Sequence, residues 1–172
     1  MVSLRLVTSS FLIISAIAQT PRDFPLVQGE TFAGREIELP DAAKGKVAVL
    51  IFGFTKASSK PTSAWAKKIA ADFGGRQDFE LYQLAVLEDV PRLLRGMVIS
   101  GIKKGVPENQ RDHFVPVLQG EKELKRAVDY TLPDAAYLVI FDRGGKEVAQ
   151  LHGSPDDANY SQMRRQLESL LK

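Results

Sequence analysis

The sequence predicts an α/β protein, a three-layer α/β/α sandwich in which a βαβ unit precedes a ββα unit and an N-terminal hairpin is added. Three observations lead to this prediction. The continuous apolar run at residues 47–54 is typical of a central strand that is buried on both faces. An amphipathic helix and a second apolar strand follow it. Near the C-terminus, two strands joined by a glycine turn precede a final helix.

The first residues predict an export signal. Arg5 is followed by an uncharged segment, residues 6–21, which includes an apolar block and the small-x-small triplet that ends at Ala18. This pattern is typical of a secretory signal peptide with cleavage after Ala18. We therefore divide the chain into a signal peptide, 1–18, and a single folded domain, 19–172, and expect a periplasmic or secreted protein. The alternative is that the segment is kept as a membrane anchor.

Composition narrows the possible functions. The 172 residues are 44% hydrophobic and 26% charged, as expected of one domain with a single core. The chain contains no cysteine, which excludes disulfides, thiol chemistry and a lipid-modified N-terminal cysteine. Its 23 Lys and Arg residues are interspersed with 21 Asp and Glu residues, so we expect no nucleic-acid partner.

The first half of the domain is predicted to form a hairpin followed by the βαβ unit. Residues 30–39 predict the hairpin, with Ile37 and Leu39 facing inward. After the central strand, the loop at 55–61 leads into a helix that we expect to begin at Pro61, with Thr62 or Ser63 as its cap. This helix carries apolar residues at four-residue spacing and stops at two glycines, 74–75. The strand at 79–87 should run parallel to the first.

The second half adds shorter elements and the ββα unit. Residues 91–104 predict a second helix, although its glycines weaken the pattern, and residues 107–116 predict an irregular segment. A short helix is expected at 120–128. Strands at 136–141 and 146–151 should form an antiparallel pair, and the last helix should run from about 157 to 171.

The order of these elements resembles the thioredoxin-like superfamily over most of the domain. The matching motifs are the lead-in at 32–39, Lys44-Gly45-Lys46, the strand at 47–54, residues 137–142, Gly144-Gly145-Lys146 and Gly153. This resemblance implies the fold, yet both landmarks of the redox site are missing. The cysteine pair of the redox thioredoxins would fall within 58–62, and Ala135-Ala136 stand where the superfamily tends to place a cis-proline. Without a thiolate there is no nucleophile for disulfide exchange.

The sequence also carries two narrower resemblances. Phe52-Gly53-Phe54-Thr55 resembles the start of the active-site loop in Sco-type copper chaperones, but the metal-binding cysteines of that family would fall at Ala57 and Pro61, so copper binding is not implied. Residues 101–108, His113-Phe114 and 136–142 resemble the thioredoxin-like assembly factors of the mitochondrial ATP synthase membrane sector, which work without a redox cysteine pair.

Other chemistry lacks the residues it needs. Ser58 and Ser59 lie near a helix N-terminus, but no histidine is near them in sequence to act as a base, so turn and capping roles explain them better. The two histidines, His113 and His152, are scattered and do not form a metal-ligand pattern. We therefore expect no catalytic residue, no metal, and no small-molecule cofactor.

These observations favour a redox-inactive protein of the cell envelope that binds protein. Its expected role is that of an assembly factor or chaperone for a membrane complex, and its expected partner is a subunit of that complex. The alternative is a thiol oxidoreductase or peroxidase relative that has lost its cysteines. A domain without a specific partner is a third interpretation. The candidate protein-binding residues are Phe54, Lys56, Ser58, Ser59, Lys60, Trp65, Lys103, Lys104 and His113. For Trp65, we favour an anchoring role in the core over a surface role.

Overall fold

A computed structural model describes residues 24–172, and the predicted signal peptide, 1–18, lies outside the described residues. A five-stranded mixed sheet has the strand order β5-β4-β3-β6-β7, and β1 and β2 form a separate two-stranded sheet. The strands are β1 (Val27–Glu30), β2 (Glu36–Leu39), β3 (Val47–Gly53), β4 (Phe79–Val86), β5 (Phe114–Val117), β6 (Ala136–Phe141) and β7 (Glu147–Gly153). The helices are α1 (Ser59–Phe73), α2 (Arg92–Gly105), α3 (Glu121–Ala127) and α4 (Asp157–Leu170).

The predicted α/β fold class is confirmed, and β3 is its central strand. Every residue of β3 from Val47 to Phe52 is buried, because both faces of the strand are covered. β4 pairs with it in parallel and β6 in antiparallel orientation. The β3-α1-β4 crossover and the β6-β7-α4 unit are the two units that the sequence predicts.

Two apolar clusters cover the two faces of the sheet. On one face, α1 and α4 pack through Trp65, Ile69, Met163 and Leu167, among others. On the other face, residues of the β1-β2 hairpin and of α3 pack against β3, β4 and β6. Ile37 and Leu39 are buried there as the hairpin prediction requires, although β1 begins earlier than predicted.

Three local predictions were wrong. The helix α1 begins at Ser59 rather than at Pro61, so Thr62 and Ser63 lie within the helix and do not cap it. The Thr62 hydroxyl instead donates to the Ser59 carbonyl. The irregular segment predicted at 107–116 contains a short 3₁₀ helix and the edge strand β5. Pro116 is compatible with that strand because an edge strand leaves one side of its backbone unpaired.

The helix α2 also differs from expectation in how it packs. Its bounds agree with the prediction, yet none of its residues is buried. Leu93, Leu94 and Met97 are exposed, so the apolar pattern that predicts the helix does not place its residues in the core.

Candidate functional site

The loop after β3, where the superfamily resemblance places the redox cysteines, is closed by hydroxyl groups. The Ser58 hydroxyl donates to the Thr55 carbonyl at 2.7 Å and accepts from the Thr55 backbone N–H at 3.1 Å. In return, the Ser58 backbone N–H donates to the Thr55 hydroxyl at 3.1 Å. Ser58 is fully buried, so its hydroxyl holds the turn and does not face solvent.

The packing behind this turn is tight. Gly53 ends β3 directly beneath it, and a Cβ added there would lie 2.9 Å from the Ser58 hydroxyl oxygen and 3.1 Å from Thr62 Cγ2. The side chain at position 53 is therefore limited by the close approach of α1. The buried turn and the strand end form one unit.

The exposed side of the loop carries the other predicted candidates. Lys56, Ser59 and Lys60 are exposed at the start of α1. The Ser59 hydroxyl donates to the Lys56 carbonyl at 2.7 Å. These three residues lie on the exposed surface of the loop.

The base of the loop is aromatic. Phe54 is only 8% exposed and contacts the rings of Tyr130 and Tyr137, with centroid distances of 4.9 and 5.7 Å. The Lys125 ammonium lies 4.9 Å from the Tyr130 ring centroid. Phe54 therefore supports the loop from beneath and contributes little exposed surface, which corrects its prediction as a contact residue.

The segment before β6 lies directly beside the loop. The Thr55 hydroxyl is within hydrogen-bond distance of the Pro133 carbonyl, at 3.2 Å, and of an Asp134 carboxylate oxygen, at 3.1 Å. The Tyr137 hydroxyl accepts backbone N–H groups of residues 131 and 132 and so fixes the same segment. Leu132 is 49% exposed, so an apolar side chain lies on this segment.

Trp65 belongs to the core. Its side chain is fully buried, and its indole N–H donates to the Gly153 carbonyl at 2.9 Å. This bond ties α1 to the end of β7. The core interpretation of Trp65 is confirmed, and Trp65 is not part of the exposed surface around the loop.

A charged cleft, which the sequence does not predict, is lined in part by Tyr130. It encloses about 770 Å³ between the residues after β4, α3 and the residues after α3. Glu121 is buried there, its backbone N–H donates to the Glu88 carboxylate at 2.7 Å, and its carboxylate pairs with Lys125. The hydrogen bond to Glu121 raises the pKa of Lys125.

The alternating charges of residues 121–126 are typical of a solvated helix face, yet Glu121 is buried in this cleft. Alternating charges predict solvation, and no local signal in the sequence shows that Glu88 and Asp89 approach the N-terminus of α3.

His113 lies at the other end of the sheet. Its Nε2 is 2.6 Å from a Glu80 carboxylate oxygen, and Lys46 pairs with the same carboxylate. Burial raises the pKa of Glu80, but hydrogen bonds from Lys46 and His113 outweigh that effect, so its pKa is lower than usual. Glu80 pairs in register with Ala48, near the start of β3.

The predicted candidates therefore fall into two separate groups. The loop at 54–60 follows the end of β3, whereas Glu80 and His113 lie near its beginning. Lys103 and Lys104 occupy the last turn of α2, which leads back towards the start of β5, and both are exposed. The structure does not bring the two groups together.

Residues 24–172 contain neither a metal-ligand cluster nor a membrane-spanning helix. No cluster of three or more His, Asp or Glu residues in that range could hold a metal ion. Within the same range, no helix has the length and apolar character needed to cross a membrane.

Comparisons with known proteins identify the fold. No protein-family model matches the sequence, and no curated protein matches it. Among solved structures, the thioredoxin domain of a thiol-disulfide oxidoreductase from Bacteroides vulgatus has a TM-score of 0.58 at 19% identity, covering 86% of this chain and 97% of that one. The exposed lipoprotein thioredoxin Etrx1 of Streptococcus pneumoniae has a TM-score of 0.56 at 16% identity, covering 83% and 100%.

A third similar structure belongs to a different group. BsSco, a member of the Sco family of cytochrome c oxidase assembly proteins, has a TM-score of 0.60 at 12% identity, covering 87% of this chain and 94% of that one. Identities this low establish the fold alone. The chain has a thioredoxin-like fold, similar to those of thiol-disulfide oxidoreductases, and it contains no cysteine.

Proposed function

We propose that this chain is a redox-inactive, thioredoxin-like protein of the cell envelope that binds protein, as an assembly factor or chaperone of a membrane complex. The observation that carries the proposal is the loop after β3. It is held closed by Thr55 and Ser58 and tied to the segment before β6, while Lys56, Ser59 and Lys60 remain exposed on it. An ordered surface without a reactive group suits binding better than catalysis.

The chemistry of the loop supports a binding role. Thiol exchange needs a thiolate, and the chain has no cysteine. A serine nucleophile needs a base, yet both loop serines donate their hydroxyl protons to backbone carbonyls. Within residues 24–172, neither serine hydroxyl is hydrogen-bonded to a histidine, and His113 lies at the other end of the sheet.

Two observations support the proposed location and the proposed assembly role. The predicted signal peptide favours the envelope, and the Sco family, to which the structurally similar BsSco belongs, is described as a family of assembly proteins. A fold can host many functions, so the partner must be found by experiment.

Site-specific photo-crosslinking in the native envelope tests the proposal. A photoreactive residue at Ser59 reports on the loop, and one at His113 reports on the opposite end of the sheet. Capture of one dominant membrane-complex subunit from position 59 is the expected result. No specific adduct from either position, with the protein folded and exported, would refute a binding role.

A matched variant tests whether the loop itself makes the contact. Combined substitution of Lys56, Ser59 and Lys60 by Ala should abolish the adduct, as detected from a photoreactive residue at exposed Leu132. Ser58 is kept because it is buried and holds the turn. If every captured partner is unchanged, the loop is not the binding surface. Reduction of insulin disulfides or of peroxide by the purified protein would instead favour the oxidoreductase alternative.

A further inference from the structure

The helix α2 presents exposed apolar residues, followed by polar ones, on its solvent-facing side. Leu93, Met97, Ser100 and Lys104 recur at spacings of three or four residues and lie on one side of the helix. All four are exposed, Leu93 at 99% and Met97 at 68%. Leu94, 46% exposed, lies beside them.

The opposite side of α2 faces the domain. Val98, Ile99 and Ile102 are half-buried there, and the Arg95 guanidinium donates to the carbonyls of Val90 and Glu88. The helix is thus attached by one apolar side and by Arg95. Leu93 and Met97, on the outer side, are mostly exposed and contribute little to this attachment.

The charge on α2 is of one sign. It carries no acidic residue, unlike the chain as a whole, and three of its basic residues, Arg92, Lys103 and Lys104, are exposed. Each of the acidic residues that flank it in sequence has a hydrogen-bond or ion-pair partner. Glu88 accepts from the backbone of Glu121, Asp89 lies near Lys125, and Glu108 pairs with Arg111.

This combination fits an anionic lipid surface. Exposed leucine and methionine side chains can enter the boundary between headgroups and acyl chains, and anionic headgroups attract lysine and arginine. The 14-residue helix is about 21 Å long, too short to cross a bilayer but long enough to lie on one. A protein partner would need a groove that fits this convex, exposed side of the helix.

We propose that the outer side of α2, formed by Leu93, Leu94, Met97 and Lys104, is a membrane-contact surface that binds anionic phospholipid. This surface is distinct from the loop after β3, and the inference does not depend on the protein partner proposed above. It holds whether residues 1–18 are cleaved or kept.

The absence of cysteine allows a direct test, because a single introduced cysteine can be labelled uniquely. The full chain carrying Met97→Cys is labelled with the environment-sensitive fluorophore NBD. It is mixed with vesicles of equimolar phosphatidylglycerol and phosphatidylcholine, or with vesicles of phosphatidylcholine alone. The matched control is Val148→Cys on β7, which is also exposed, at 40%, and lies on the opposite edge of the sheet from β5.

The expected result is a blue-shifted, brighter emission at position 97 with anionic vesicles only, and no change at position 148. Leu93→Ser added to the position 97 variant should weaken vesicle binding about tenfold, since one fully exposed leucine no longer becomes buried. Because Leu93 is outside the core, this change should leave the Trp65 emission of the folded protein unaltered.

Three results would overturn the proposal. Unchanged emission at position 97 would show that α2 does not enter the lipid, even if residues 1–18 attach the chain to vesicles. Equal changes at positions 97 and 148 would show non-specific adsorption. Capture of an acidic protein that Leu93→Ser abolishes, without any vesicle response at 97, would assign the surface to a protein partner.

Discussion

Replacing Ser58 by Ala tests whether the loop after β3 is a structural unit. The substitution removes a buried hydroxyl that makes two hydrogen bonds to the backbone of Thr55, at 2.7 and 3.1 Å. It leaves the Thr55 N–H without that acceptor. A buried polar group that loses its partner costs about 1 to 3 kcal/mol, so we expect the free energy of unfolding to fall by about 2 kcal/mol.

Urea denaturation followed by the fluorescence of Trp65, the only tryptophan, measures this loss. With a slope of about 2 kcal/mol/M, the midpoint should fall by about 1 M. Ser59→Ala is the matched control, because its exposed hydroxyl makes a single bond to the Lys56 carbonyl. That variant should stay within about 0.5 kcal/mol of the wild type. Equal midpoints for both variants would refute the assignment of Ser58 as the residue that closes the turn.

Three other changes test the rest of the fold. Glu80→Gln should remove a part of the stability that depends on pH. Because folding lowers the pKa of Glu80, its carboxylate stabilises the protein fully above its ordinary pKa of about 4.3, and this contribution is lost as the pH falls below that value. The melting temperatures of wild type and variant should therefore converge towards pH 3. Trp65→Phe should lower the free energy of unfolding by about 1 to 3 kcal/mol, measured by circular dichroism in urea, and an unchanged value would contradict its place in the core. Gly145→Ala should lower the free energy of unfolding by about 1 kcal/mol or more, because Gly145 has a φ of +79° and a Cβ there would lie 3.0 Å from the Lys44 side chain. Gly75→Ala is the control and should lower it less, because a Cβ at position 75 would have no atom within 4 Å.

The main elements follow from local patterns. The apolar run of β3, the four-residue spacing of α1 and the glycine turn before β7 each record a preference that a short segment expresses by itself. Errors arose where neighbours decide the outcome. β5 is a four-residue edge strand containing Pro116, and its strand conformation depends on pairing with β4. No short-range pattern distinguishes such a strand from a loop.

The candidate site was predictable in position but not in exposure. The sequence places Phe54, Ser58 and Trp65 in or beside the loop, yet the side chains of all three are buried. Only for Trp65 does the sequence favour a place in the core. Whether these side chains are buried depends on which distant segments of the chain pack against them. Tyr130 and Tyr137 cover Phe54, and the end of β7 accepts the indole of Trp65. These contacts join residues far apart in the chain.

The sequence by itself determined the fold class, the order of the main elements and the impossibility of thiol chemistry, because periodicity and composition are properties of the chain alone. Only the tertiary structure decided which surfaces these elements present. It separated the loop from His113 by placing them at opposite ends of the sheet, and it turned Leu93 and Met97 outward. An apolar helix pattern shows that a helix has apolar sides, but the packing of the whole domain determines which side is covered.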